Sequence, residues 1–350
     1  MNFMAKPMLR SGAECINPAP PLYSYEFAMQ TSPLEVSVTA VEKEALDIRS
    51  FRIVRADGQP FDAYEPGAHI DVTAPSGITR QYSLCGNPDE RDALLFAVKR
   101  ETASRGGSRS MHDDVVLGSE LIVSRPRNLF RIADEAHAHV LIGAGIGITP
   151  LLSMAYRLAS LGKPFHLHYF ARSEAHAAFL GTLARDLPGM RVHLHFGIPR
   201  DVLEPTLRRC LAEVEAGTHI YTCGPERFME RVVALGSAIV GADQVHLERF
   251  AAKPVATSED ALDEFEVQAA RTGKIVRVDK GVTIVKALAA IGIEIDTSCG
   301  EGVCGTCMVD VLDGEPDHRD HCLSKAERAS NQVICCCVSR SRSRRLVLDV

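Results

Sequence analysis

The sequence predicts three domains in series: an antiparallel all-β domain, a parallel α/β domain and a small C-terminal domain. Three observations lead there. Residues 35–135 break into short β-branched segments between Gly and Pro turns, residues 136–250 alternate strand and helix patterns, and seven of the eleven cysteines fall in the last 52 residues. A chain of 350 residues has room for two or three domains, each with its own core.

Composition narrows the class. With 46% apolar and 24% charged residues the chain is globular, not disordered or collagen-like. A net charge of −6 gives no electrostatic reason to bind nucleic acid. No apolar run reaches the roughly 18 residues of a membrane helix, so no membrane partner is expected. The opening MNFMAKPMLRSGAE lacks the apolar stretch of a secretory signal. An odd cysteine count without such a signal argues for a reducing, cytoplasmic setting and against a disulfide scaffold.

Residues 1–34, with Pro7, Pro18, Pro20 and Pro21, read as a loosely structured extension. LEVSVTAVEK, IRSFRIVR, HIDVTAP, LLFAVKR and ELIVSRP then read as strands of an antiparallel barrel or sandwich. HVLIGAGIGI runs from a buried strand into a glycine turn, and TPLLSMAYRLASLG is a helix ending at Gly162. PFHLHYFARS, RVHLHF and THIYTCGP are further strands, with helices expected over AHAAFLGTLARDL and RFMERVVALGSAI. Strands alternating with helices mean a parallel sheet. His166, His168, His193 and His195 alternate along two of these strands and read as ordinary strand positions, not metal ligands. Residues 251–264 are small and polar and read as a linker. In 265–350, FEVQAARTGKIVRVDK predicts a hairpin, TIVKALAAIGIEI a helix and RRLVLDV a closing strand. So small a domain could use a metal staple.

The cysteines supply one. Cys299, Cys304 and Cys307 form C-x4-C-x2-C, and 29 residues separate Cys307 from Cys337. This is plant-type [2Fe–2S] spacing. Gly300, Gly302 and Gly305 let the loop fold tightly around a cluster and aim N–H groups at its sulfurs. Cys335, Cys336 and Cys337 compete for the fourth position. We choose Cys337 because its gap matches the plant-type domain; Cys322, Cys335 and Cys336 then read as small buried residues. The alternative, zinc on four cysteines, favours paired short spacings that this segment lacks.

Gly143, Gly145 and Gly147 precede Thr149 and Pro150 between a strand and a helix, where backbone N–H groups and a helix N-terminus can hold a pyrophosphate. The spacing is G-x-G-x-G, not G-x-G-x-x-G, so a purely structural turn stands as the alternative. YTCGP ends a later strand, so Cys223, Gly224 and Pro225 are expected on the same sheet edge, where ligands of open α/β sheets bind. A buried structural Cys223 is the alternative there. In TRQYSLCGNP, Arg80, Tyr82 and Ser83 could hold a flat ring and a phosphate. AVKRETASRGGS adds Lys99 and an anion-nesting turn at Gly106, Gly107 and Ser108. Core packing for Tyr82 and a solvated charge for Arg80 are the alternatives.

RQYS, then GAGIGITP with YTCGP, then CGEGVCGTC with Cys337 together resemble the phthalate dioxygenase reductase family. Vanillate O-demethylase reductases are similar. These are reductase components of Rieske-type aromatic oxygenases. The resemblance covers residues 35–350 and extends to RGGS, HRDHCLSKAE and CVSR. It implies a ferredoxin-reductase-type antiparallel β-barrel binding FMN (35–135), an NAD-binding α/β domain (136–250) and a β-grasp plant-type ferredoxin domain (265–350). It further implies that Arg80, Tyr82 and Ser83 hold the flavin, that Val98 and Lys99 line it, and that Gly106, Gly107 and Ser108 receive its phosphate. Phe250 would pack on the ring. Thr149 beside the flavin and Cys223 at the nicotinamide are the positions expected closest to hydride transfer. Gly143, Gly145, Gly147 and Pro150 would face the dinucleotide, and Gly224 and Pro225 its nicotinamide end.

Two positions depart from the family. Arg172 and Ser173 follow the second α/β strand where an acidic residue is usual, so NADH is expected on family grounds and NADPH is also admitted. Arg109 is a charge directly after GGS, where a small or apolar residue is expected.

The parts also belong together chemically. NADH gives up two electrons at once, an iron–sulfur cluster takes one, and a flavin deals with both. A plant-type cluster near about −400 mV can drive electrons to a higher-potential Rieske centre. The sequence therefore predicts a reductase serving a separate oxygenase. A self-contained flavin reductase, or one serving a cytochrome P450 or other acceptor, is the second reading; a zinc-stapled interaction protein is the third.

Overall fold

A computed structural model describes residues 33–102, 105–187, 191–251 and 262–350. The expected extension lies outside the described residues up to position 32, as does the expected linker from 252 to 261.

Six strands, β1 (Leu34–Ala45), β2 (Ile48–Arg55), β3 (His69–Thr73), β4 (Thr79–Ser83), β5 (Leu94–Lys99) and β6 (Glu120–Val123), form one antiparallel sheet in the order β4-β3-β6-β1-β2-β5. The sheet closes on itself: Leu84 bridges Phe96 of β5, and Cys85 N–H donates to Leu95 O at 2.9 Å. Alternation explains the interior. Leu34, Val36 and Val38 face inward while Glu35 faces water. Phe51 and Tyr82 each stack on Phe96 at 5.5 Å. The short helix α1 (Gly107–Asp113) adds Met111 to this core, and a His112 ring nitrogen lies 2.8 Å from Val98 O.

The next block alternates β7 (Ala138–Ala144), α2 (Ile148–Ser160), β8 (Phe165–Ala171), α3 (Leu180–Asp186), β9 (Arg191–Phe196), α4 (Arg200–Cys210), β10 (Thr218–Cys223), α5 (Glu226–Val240) and β11 (Val245–Glu248). Its sheet is parallel throughout, in the order β11-β10-β7-β8-β9. The strand order reverses between β7 and β10, the switch point at which such sheets bind ligands. Gly162 ends α2 at φ +64, with Gly162 N–H donating to Ala159 O and Lys163 N–H to Leu158 O.

Two helices differ from expectation. The one expected over AHAAFLGTLARDL starts only at Leu180. Phe179 before it adopts φ +61, buries its ring and directs its N–H at the Glu44 carboxylate 3.3 Å away. Burying an aromatic ring outweighs the cost of a left-handed residue. The other, α4, carries Pro205 in its interior, which hides it from sequence patterning.

The C-terminal strands β12 (Phe265–Ala269), β13 (Ile275–Val278), β14 (Met308–Asp313), β16 (Val333–Cys335) and β18 (Arg345–Leu348) form a mixed sheet in the order β13-β12-β18-β14-β16. The pair β15 (Pro316–Asp317) and β17 (Arg340–Ser341) lies apart from it. Helix α6 (Ile284–Ala289) is capped by Thr283, which accepts from Lys286 N–H at 3.2 Å, and buries Ile284 and Leu288 in a core with Val267 and Leu346. Helix α7 (Lys325–Ser330) opens with a reciprocal Ser324–Glu327 capping box. This is a β-grasp domain.

Candidate active site

At the carboxyl end of the parallel sheet, Gly143, Cys223 and Glu248 stand side by side on β7, β10 and β11. The glycine turn and YTCGP therefore share one edge. They are pressed together: a Cβ on Gly147 would sit 2.3 Å from Cys223 O, and one on Gly224 3.0 Å from the Ala144 Cβ. Gly145 takes φ +57 between them. Thr149 and Pro150 lie in the first turn of α2, with Thr149 Oγ1 donating to Ile146 O at 2.9 Å. Pro225 precedes α5. The Cys223 thiol is wholly buried, and burial, then the Glu248 carboxylate, push its pKa well above 9. Such burial keeps the thiol protonated and unreactive. Arg172 and Ser173 follow β8 on the same edge. Arg172 is 74% exposed, 3.8 Å from the Asp47 carboxylate, while Ser173 Oγ bonds with His176 Nδ1 at 2.8 Å.

On the barrel, Arg80, Tyr82 and Ser83 lie along β4, and Val98 and Lys99 end β5. Gly106, Gly107 and Ser108 open α1 beside them. A Cβ on Gly107 would come within 3.1 Å of Arg80 Cγ, so RQYS and RGGS meet in space. Ser108 Oγ accepts from Glu101 N–H at 3.2 Å, and Lys99 pairs with the Glu101 carboxylate. Burial pushes Tyr82 up to about 12, so it stays a phenol. Arg109 faces solvent. Phe250, past the end of β11, is 45% exposed.

Sequence reasoning missed two residues here. Glu248 accepts from Ser83 Oγ at 3.1 Å, and burial raises its carboxyl to about 8. His69 is completely buried, its pKa pushed down to about 3 by burial and then by Arg127. Neither ring nitrogen of His69 has a partner among the described residues. Both residues line a cavity of about 50 Å³ with Gln81, Leu129, Val303 and His321. Barrel, α/β sheet and cysteine loop meet there. A signal was available for Glu248: a carboxylate at the end of a strand in HLERF.

Cys299, Cys304 and Cys307 occupy the loop between α6 and β14, and Cys337 follows β16. All four are 9% exposed or less. Their thiols touch in the sequence Cys304–Cys299–Cys337–Cys307. Cys337 N–H donates to Cys307 Sγ at 3.4 Å and Glu301 N–H to Cys299 Sγ at 3.3 Å. Hydrogen bonds from Cys335 and Cys337 draw the Cys307 thiol well below its usual range. Gly302 takes φ +71, and a Cβ there would lie 2.6 Å from Val338 Cγ2, so any side chain is excluded. Ser298 Oγ is buried without a partner among the described residues. Four converging thiols, N–H groups aimed at sulfur and an orphaned hydroxyl fit an iron–sulfur cluster. The loop docks on the barrel, with Glu301 pairing to Arg105 and Gly305 against Leu129.

Residues 120–245 match the family described as dimethylamine monooxygenase subunit DmmA-like, N-terminal domain, and residues 267–342 the 2Fe-2S iron–sulfur cluster binding domain. The chain is 41% identical over 318 residues to a vanillate O-demethylase oxidoreductase of Pseudomonas sp. (strain HR199 / DSM 7063), covering 91% of this chain and 100% of that one. The solved phthalate dioxygenase reductase superposes with a TM-score of 0.65 at 34% identity, over 91% of this chain and 98% of that one. The chain belongs to the phthalate dioxygenase reductase family. Within this family, phenoxybenzoate dioxygenase subunit beta of Ectopseudomonas oleovorans is 43% identical over 330 residues, covering 92% and 99% of the two chains. A type IV self-sufficient cytochrome P450 monooxygenase superposes with a TM-score of 0.82 at 36% identity; 91% of this chain is covered, but only 41% of that one. As a member of the phthalate dioxygenase reductase family, the protein is an NAD(P)H-dependent flavin and iron–sulfur oxidoreductase, the reductase component of an oxygenase system. Among the described residues no helix is long and apolar enough to cross a membrane.

Proposed function

We propose that this reductase takes electrons from NADH at an FMN site and passes them singly, through a [2Fe–2S] cluster on Cys299, Cys304, Cys307 and Cys337, to a separate Rieske-type aromatic oxygenase. The supporting observation is one shared cavity wall: Gln81 from the barrel, Glu248 from the α/β sheet and Val303 from the cluster loop. A flavin bound at that junction supplies the exchange between a two-electron donor and a one-electron acceptor.

The residues have separable tasks. Arg80, Tyr82 and Ser83 hold the flavin, Val98 and Lys99 line it, and Gly106, Gly107 and Ser108 seat its phosphate at the start of α1. Phe250, exposed beside this site, covers the ring. Gly143, Gly145, Gly147 and Pro150 offer backbone and helix N-terminus to the dinucleotide pyrophosphate. Gly224 and Pro225 shape the nicotinamide end. The neutral Cys223 thiol forms a water-free floor there, and Thr149 orients the ring above the turn. Arg172, exposed after β8, reaches the adenosine ribose and lets NADPH serve beside NADH. The ten cysteines among the described residues are all unpaired, which accords with a cytoplasmic setting.

Reconstitution with an oxygenase encoded beside it is the test. The expected result is NADH-dependent substrate turnover that needs both components and fails with Cys337→Ser. The likeness to the self-sufficient P450 favours a second reading, a P450 acceptor; turnover with a P450 and none with the oxygenase would establish it.

A further inference from the structure

The histidines that read as ordinary strand positions converge in the structure. His166 and His168 of β8 and His193 and His195 of β9 lie on neighbouring parallel strands, with His168 paired to His193 and Phe170 to His195. Period-two spacing on both strands puts all four imidazoles on one face. His168 and His193 stack at 4.6 Å and Phe170 covers His195 at 4.2 Å. Cys210, the last residue of α4, brings a thiol onto this strip from the helix above.

Two of the three donor separations, both also hydrogen bonds, fit a coordination site. His168 Nδ1 lies 3.2 Å from His195 Nε2, and Cys210 Sγ lies 3.8 Å from the same Nε2. All three donor atoms fall within 4.8 Å of one another. Around a tetrahedral zinc, two nitrogen ligands stand about 3.3 Å apart and a nitrogen and a sulfur about 3.6 Å. A second set lies beside it: His166, His168 and His193 also come within 4.8 Å of one another and share His168 with the first set.

We propose that His168, His195 and Cys210 bind a zinc ion, its fourth position left to water. Two imidazoles and one thiolate suit a borderline-soft divalent ion better than magnesium or calcium, which take oxygen ligands. The ion would tie the edge strand β9 and helix α4 to the interior strand β8. Binding releases the Cys210 proton to solvent, and no electron moves.

The test uses untagged, full-length protein loaded with flavin and with its iron–sulfur cluster intact, titrated with zinc and measured by zinc-edge X-ray absorption. We expect one zinc per chain, with nitrogen ligands at about 2.0–2.1 Å and one sulfur at about 2.3 Å. Cys210→Ser should remove the sulfur shell. His195→Ala should weaken binding roughly tenfold or more, since even losing a residue that hydrogen-bonds a ligand costs about 10–100-fold. In both variants, unchanged flavin and cluster absorbance will show that the chain has folded. A shell of four sulfurs would place the zinc on the cluster cysteines and overturn the proposal. So would an unchanged zinc spectrum and affinity in both variants, or no zinc retained by the wild type.

Discussion

Ser83 Oγ donates to Glu248 Oε2 across 3.1 Å, joining residues 165 apart in the chain. Ser83 ends a barrel strand and Glu248 ends a strand of the parallel sheet, so one bond ties the two where we propose the flavin binds. A hydrogen bond of this kind contributes about 0.5–1.5 kcal/mol. Ser83→Ala should lower the unfolding temperature by about 2–4 °C and speed flavin release, while the cluster spectrum stays unchanged. A thermal scan and a flavin-release assay check it; wild-type values in both would show that the bond contributes nothing.

Glu248 also makes stability depend on pH. Its folded pKa, about 8, lies above its ordinary 4.5, so between those values the folded chain holds a proton that the unfolded chain has lost. Stability from this group is complete below about pH 4.5 and falls as pH rises toward 8. Glu248→Gln removes that dependence. In flavin-free protein, the variant's unfolding temperature should gain on wild type steadily from pH 5 to pH 8. Parallel curves would contradict the assignment.

Cys337 touches both Cys299 and Cys307, Cys335 touches Cys307 and Cys322, and Cys336 is buried in the apolar core. Cys337→Ser should abolish reduction of cytochrome c while NADH still bleaches the flavin. Cys336→Ser should keep the cluster. Iron and sulfide analysis reads both, and cluster loss in the Cys336 variant would reverse the choice.

Arg172 is exposed at the end of β8, in a long ion pair of 3.8 Å with the Asp47 carboxylate. If it meets the ribose end of the dinucleotide, Arg172→Glu should shift kcat/KM toward NADH over NADPH by roughly tenfold, the effect of about 1.4 kcal/mol. Steady-state kinetics with both nucleotides measure it. An unmoved ratio would take Arg172 out of the site.

Much of this was readable from residue spacing. C-x4-C-x2-C works locally, because three ligands on one loop need no knowledge of the fold. The pairing of the glycine turn with YTCGP was readable because parallel strands present their carboxyl ends on one edge. Other features depend on contacts between distant segments. Nothing in HLERF says that Ser83 will reach Glu248, and nothing in HIDVT says that His69 will be sealed from water. Pro205 conceals α4, and with it the arrival of Cys210 over the β8–β9 histidines. The buried ring of Phe179 overrides a helical pattern that begins four residues earlier.

Anaerobic titration with NADH, followed by optical and electron paramagnetic resonance spectroscopy, bears most directly on the coupling of a paired-electron donor to a single-electron carrier in this one chain. Full reduction should take up three electrons per chain, two at the flavin and one at the cluster, with a reduced [2Fe–2S] resonance that Cys337→Ser abolishes. Uptake that stops at two electrons in intact holoprotein, with the cluster silent, would show that no such coupling exists.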